Sequence, residues 1–163
     1  MAGHSFGGAT ALEFCHEDAR CKAAVDLDGI PFGGVVADGL STPTLFVLSD
    51  HSHEPSDASS RDILARIQSL YDRLPEGERG YVTIRNANHF SFSDQSRLNS
   101  QIATWLLRKA VGFGGLEARR GLTITTDLVH TFFDVHLNGA DPATIRDLSA
   151  KYPELEPGSS GAR

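Results

Sequence analysis

The segment "GHSFGGAT", residues 3–10, constrains this chain more than any other stretch. A serine flanked as G-x-S-x-G fits a sharp turn between a buried strand and a buried helix, with its hydroxyl exposed at the tip. Such a turn needs small neighbours, which Gly3 and Gly7 supply, and Gly8 and Ala9 let the following helix lie close to a sheet. Ser5 is therefore a candidate nucleophile. Only Met1 and Ala2 precede Gly3, too few residues to make the strand that normally feeds the turn. The next apolar run, "KAAVDL", is then expected at a sheet edge, open to association with other chains or with a missing N-terminal half.

Beyond the turn, helical and strand periodicities alternate. "ATALEFCHED" reads as a helix, "KAAVDL" as a buried strand, and the Gly- and Pro-rich "DGIPFGGVVADGLSTP" as a loop. "TLFVL" is a second strand. "SSRDILARIQSLYDRL" places Ile63, Ile67, Leu70, Tyr71 and Leu74 on one helical face, and "YVTIR" follows as a third strand. "SDQSRLNSQIATWLLRKAVG" is read as a helix with Leu98, Ile102, Trp105 and Leu106 inward. "TITTDLVHTFFDVHL" is a long helix stopped by Asn138-Gly139, and "DPATIRDLSA" is a helix capped by Asp141 with Pro142 in its first turn. Alternation of this kind implies an α/β fold with about three parallel strands and flanking helices. One domain is expected over residues 1–155, with residues 156–163 as a disordered tail.

In a parallel sheet, functional groups collect where strands end at their carboxyl side. Ser5 stands at the turn, Asp28 where "AVDLDG" leaves its strand, Asp50 where "TLFVLSD" leaves the next, and His89 just past "YVTIR". Serine, acid and histidine thus appear in that order, each at a strand exit. A serine hydroxyl is a weak nucleophile until a neighbouring base takes its proton. His89 is placed to be that base, and an acid to hold its imidazole in the productive tautomer. The backbone N–H of Phe6, directly after the nucleophile, is the expected donor to an oxyanion.

The bulk properties exclude other classes. At 40% hydrophobic and 22% charged residues, the composition is that of an ordinary soluble domain. A net charge of −6 argues against a phosphate-binding face, so nucleic acid is not an expected partner. No apolar run is long enough to span a bilayer, and no signal peptide is visible. Cys15 and Cys21 do not make a disulfide framework and read as two thiols packed as small apolar groups.

Taken together, "GHSFGGATA", "VDLDG", "NHFSFSD" and the late amphipathic helix resemble the platelet-activating-factor acetylhydrolase-like α/β-hydrolases and their bacterial esterase and lipase relatives. The resemblance runs over nearly the whole chain but takes in only the C-terminal half of that family's catalytic domain. It implies a nucleophile at Ser5, an acid at Asp28 in the context Leu27-Asp28, a base at His89, and no metal or cofactor. The implied reaction is hydrolysis of a carboxylic ester, with a small ester or lipid as substrate. Asp50 is the alternative acid, because many α/β-hydrolases take it from this later strand exit. The second oxyanion donor normally comes from a loop after an earlier strand, and losing one donor costs about 2.7–4 kcal/mol of transition-state stabilisation. The chain alone is therefore expected to be impaired. A catalytically silent remnant acting as an interaction module, and a serine peptidase or thioesterase of the same fold, are the alternatives.

The remaining polar residues read more simply. Asp26 shares a side of its strand with Asp28 but lies deeper, as a hydrogen-bonded strand residue. His51 and His53, with Glu54 and Asp57, lack the further ligands of a catalytic zinc site and read as a solvated loop. His4 packs beside the turn, and His16, His130 and His136 sit on helices as surface or satisfied side chains. Phe90 and Phe92 flank the candidate base, either lining an acyl pocket or anchoring the next helix in the core.

Overall fold

Strands form in short runs dominated by apolar residues. Strand β2 (Ala24–Leu27) and strand β3 (Thr44–Leu48) are buried along their whole length, as expected of strands covered on both faces. Strand β4 (Arg79–Ile84) lies beside β3. The computed structural model describes residues 1–50, 58–93 and 116–158. Within them the sheet order follows the sequence, β1-β2-β3-β4-β5, where β1 is Ala2–His4 and β5 is Leu155–Pro157. The first four strands are parallel, and β5 runs antiparallel to β4.

Two expectations about the sheet are corrected. The strand feeding the serine turn does form: Ala2, Gly3 and His4 pair with Val25, Asp26 and Leu27. The N-terminal ammonium on the Ala23 carbonyl, at 2.6 Å, and Val25 N–H on the Met1 carbonyl, at 2.9 Å, extend the ladder to the first residue. Strand β2 is consequently interior, and β1 is the outer strand of the described sheet. Among the described residues four strands are parallel where about three are expected, and β5 adds a fifth, antiparallel one; β1 and β5 are three residues each, too short to show a period. Strand β5 also takes in Glu156 and Pro157, read from composition as tail. Its approach is held by the paired bonds of Arg120 to Glu154, at 2.8 and 3.1 Å.

Helices cover both faces. Side chains alternate along β2 and β3, so Ala24, Phe46 and Leu48 join one core, while Val25, Leu27, Leu45 and Val47 join the other. Helices α1 (Phe6–Glu17), α2 (Gly34–Asp38) and α3 (Ala58–Tyr71) close the first with Leu12, Val35, Ile67 and Leu70. Helices α4 (Ala118–Asn138) and α5 (Ala143–Lys151) close the second with Ile124, Leu128, Phe132 and Leu148. Each large side chain so buried contributes roughly 1.5–3 kcal/mol.

Helix α2 arises inside the segment read as loop, its first turn capped by Glu13, whose carboxylate accepts from Gly34 and Val35 N–H at 2.9 and 3.0 Å. Helix α4 begins earlier than its apolar stripe suggests because Glu117 accepts from Arg119 and Arg120 N–H. It ends on Gly139 in the left-handed region, φ 73°. Asp141 caps α5 through Ala143 N–H at 2.8 Å.

The cysteines also depart from expectation: Cys15 and Cys21 form a disulfide, their Cα atoms 5.0 Å apart. Helix α1 ends at Glu17, and the turn closed by Cys21 N–H on the Asp18 carbonyl, at 2.9 Å, brings the second cysteine back against the first. The helix read over "SDQSRLNSQIATWLLRKAVG" and the His51–Asp57 loop lie outside the described residues, save Ser93. No helix among the described residues is long and apolar enough to cross a membrane.

Candidate active site

Two tight turns build the site. At the first, β1 hands over to α1 through Ser5, which adopts φ 58° and ψ −125° although it is not glycine. Such a conformation costs of order 1–3 kcal/mol and persists only where its surroundings impose it. Here Ser5 N–H donates to the Leu27 carbonyl at 2.8 Å, and the Ser5 carbonyl accepts from Gly8 and Ala9 N–H at 3.0 and 3.2 Å. A side chain on Gly3 is impossible, since its Cβ would lie 2.2 Å from the Gly7 carbonyl oxygen. Ser5 does not spend its hydroxyl on capping α1, and the Oγ points instead at His89.

At the second turn β2 ends in Asp28, also left-handed at φ 56°. Asp28 N–H donates to the Val47 carbonyl at 2.8 Å. Its carboxylate accepts from Ser49 N–H at Oδ1, and from Ser49 Oγ–H and His89 Nδ1–H at Oδ2, each at 2.8 Å. His89 Nε2 stands 3.0 Å from Ser5 Oγ. A carboxylate only accepts, so Nδ1 carries the ring proton and Nε2 is left to accept from the serine hydroxyl. The Asp28 side chain is 5% exposed and that of His89 41%.

His89 opens a 3₁₀ turn, His89–Phe92, after β4. Asn88 and Ser91 hold it reciprocally: Asn88 Oδ1 accepts from Phe90 N–H at 2.9 Å, and Ser91 Oγ accepts from Asn88 N–H at 3.0 Å. His4 donates its Nε2–H to the His89 carbonyl at 2.8 Å, with the rings 4.6 Å apart. Burial, then the neighbouring His89, holds the His4 pKa below the ordinary imidazole range. A neutral His4 adds no positive charge beside the His89 ring.

The structure thus brings Ser5, Asp28 and His89 into one hydrogen-bonded run. Asp50 goes elsewhere: its Oδ2 accepts from Asn86 N–H at 2.7 Å, and its own N–H donates to the Ala87 carbonyl at 2.9 Å. Phe6 follows Ser5 as the first residue of α1, where backbone N–H groups have no partner inside the helix. Phe92 is buried in the core with Leu128 and Phe132, whereas Phe90 sits edge-on to His89 at 5.6 Å. A cleft of about 450 Å³ opens over the serine, lined by Ser5, Phe6, Ile30, Ile63, Ile67 and His89. A larger open depression, about 730 Å³, lies beside the disulfide and holds neither Ser5 nor His89.

Sequence reading missed Ser49 and the service of His4 and Asn88. The N-x-x-S spacing of Asn88 and Ser91 was the available signal for the turn; Ser49 had only its place at a strand exit. Among the described residues no three His, Cys, Asp or Glu side chains are grouped to hold a metal.

Residues 1–144 match the family model of platelet-activating factor acetylhydrolase, isoform II. The platelet-activating factor acetylhydrolase of Bos taurus is 28% identical over 84% of this chain and 29% of its own length. A probable 1-alkyl-2-acetylglycerophosphocholine esterase of Arthroderma benhamiae is 29% identical over 95% of this chain and 42% of its own. A ferulic acid esterase from Streptomyces cinnamoneus superposes with a TM-score of 0.79 at 29% identity, over 96% of this chain and 45% of that structure. The chain spans less than half the length of these relatives. With the serine turn, the parallel sheet and the family match all in agreement, the chain belongs to the platelet-activating factor acetylhydrolase isoform II family, of α/β-hydrolase type.

Proposed function

We propose that this chain carries the reacting groups of a serine carboxylic-ester hydrolase. The observation that carries the reading is the unbroken run from Asp28 Oδ2 through His89 to Ser5 Oγ, at 2.8 and 3.0 Å. In this reading Ser5 Oγ attacks the ester carbonyl carbon while its proton passes to His89 Nε2. The carbonyl electrons move onto oxygen, where Phe6 N–H donates to the oxyanion. The tetrahedral intermediate collapses with cleavage of the bond to the alkoxy oxygen, and His89 returns the proton to the departing alcohol. Water, deprotonated by His89 Nε2, then attacks the acyl carbon; the bond to Ser5 Oγ breaks, the acid leaves, and His89 returns the proton to Ser5 Oγ. Asp28 keeps Nδ1 protonated and stabilises the imidazolium at each stage.

The names of the relatives support carboxylic esters, acetyl esters among them, as the substrate class. Ile30, Ile63 and Ile67 give the cleft apolar walls suited to such an acyl group. The test is hydrolysis of p-nitrophenyl acetate by wild type and Ser5→Ala. Loss of turnover by several orders of magnitude is expected, because such residues act as a unit. A variant within about tenfold of wild type would overturn the reading.

A further inference from the structure

One carboxyl beneath the site has no part in these reaction steps. Asp26 points from β2 toward α1 and is fully buried. Its Oδ1 accepts from Gly29 N–H at 2.9 Å, while its Oδ2 meets no hydrogen-bonding group among the described residues. Burial raises its pKa to about 7, a shift opposed by the Gly29 bond and reinforced by the charge of Asp28. A buried carboxyl with one oxygen unmet destabilises a fold, and an apolar side chain of the same shape is often better tolerated.

What that carboxyl touches explains its presence. The bond from Asp26 to Gly29 arches over Leu27 and Asp28, so it closes the turn that holds Asp28 left-handed. The upstream side of that turn is fixed by Asp28 N–H on the Val47 carbonyl, and Asp26 fixes the downstream side. Gly29 has room for hydrogen only: a Cβ there would lie 2.3 Å from Asp26 Oδ1 and 2.5 Å from the Ser5 carbonyl oxygen. The same Oδ1 would lie 2.0 Å from a Cβ on Gly8, in the first turn of α1. Across the ladder Asp26 is in register with Gly3. One oxygen therefore abuts both the serine turn and the aspartate turn.

We propose that Asp26 is a positioning residue for ester hydrolysis: its Oδ1 holds Gly29 N–H beneath the Asp28 turn and packs on Gly8, fixing how Asp28 meets His89. The proposal rests on the serine-hydrolase reading. It requires an acceptor at Oδ1 and no negative charge, so Asp26→Asn preserves function while Asp26→Leu, which keeps the shape, does not.

The experiment compares the two variants with wild type in two ways. The first is the rate of Ser5 modification by a fluorophosphonate, resolved into a limiting rate and a half-saturating concentration. The second is the far-downfield proton resonance of His89 Nδ1–H. Asp26→Leu is expected to slow the limiting rate about 100-fold, the scale set by misplacing a catalytic group by an ångström, with half-saturation unchanged. The resonance should move or broaden in Asp26→Leu and persist in Asp26→Asn, whose limiting rate stays within about threefold of wild type. Asp26→Ala, which removes the oxygen without adding volume, is read in parallel in case leucine prevents folding. Equal rates and resonances in wild type, Asp26→Leu and Asp26→Ala would overturn the proposal, as would an Asp26→Asn as slow as Asp26→Leu. No modification of Ser5 in wild type would overturn the hydrolase reading instead, leaving the resonance to decide whether Asp26 holds Asp28 against His89.

Discussion

Replacing Asp28 by Asn probes the site through the tautomer of His89. The amide has two orientations. With its NH₂ at the Oδ1 position it faces Ser49 N–H, a backbone donor that cannot turn. With its NH₂ at the Oδ2 position it faces the Ser49 hydroxyl, which can rotate to accept, and His89, which can accept only by moving its proton from Nδ1 to Nε2. Opposing two buried donors costs about 2 kcal/mol, so the second orientation prevails by about 30-fold. In it Nε2 donates to Ser5 and can no longer take the serine proton. The fraction with the right tautomer has also lost a charged partner for the imidazolium, worth about 1.5–3 kcal/mol, or a further factor of about 10 to 100. The expected fall in kcat for p-nitrophenyl acetate is therefore about 300- to 3,000-fold, somewhat less than the roughly 10⁴-fold of the same change in a serine-protease triad. KM should stay within about threefold, since the carboxyl lies behind the imidazole. Asp50→Asn is the internal control: an amide oxygen can still accept Asn86 N–H, and kcat should stay within about threefold. A nearly inactive Asp50→Asn beside a nearly normal Asp28→Asn would refute the reasoning and make Asp50 the acid.

Two further outcomes concern stability. Asp26 has its pKa raised from the ordinary 3.8 to about 7, so the folded chain keeps a proton that the unfolded chain has released. Its contribution therefore makes stability fall as pH rises from about 4 to about 7 and level off above, by of order 4 kcal/mol. Urea melts should show Asp26→Asn gaining on wild type across that window, and a constant difference would refute the shift. Reducing the Cys15–Cys21 disulfide opens a short loop and should cost about 2 kcal/mol, read as a fall in Tm of about 4–8 °C, with two thiols titrating only after reduction. Two free thiols in the untreated protein would contradict the pairing.

The legible parts of the fold are those where chemistry and pattern coincide. Strands β2 and β3 announce themselves as short, mostly apolar runs, and the rule that strand ends collect function points to Ser5, Asp28, Asp50 and His89, of which the fold joins Ser5, Asp28 and His89. The illegible parts depend on tertiary partners. Strand β1 takes its order from pairing with β2 rather than from its three residues, and β5 is held by Arg120 on Glu154 from far along the chain. Helix α2 needs the Glu13 carboxylate, presented by α1. The spacing of Cys15 and Cys21 is silent about the turn at Asp18 that closes it. Asp26 could be read as a strand residue, but the two glycines that make room for its carboxyl come from different elements.

Everything proposed for the chemistry depends on His89 activating Ser5. Locating a fluorophosphonate adduct by peptide mass spectrometry, and comparing its rate of formation in wild type and His89→Ala, addresses that dependence. The expected adduct is on Ser5, and it forms at least about 10³-fold more slowly without the imidazole. An adduct on a different residue, or a Ser5 that reacts equally fast in both proteins, would contradict activation by His89.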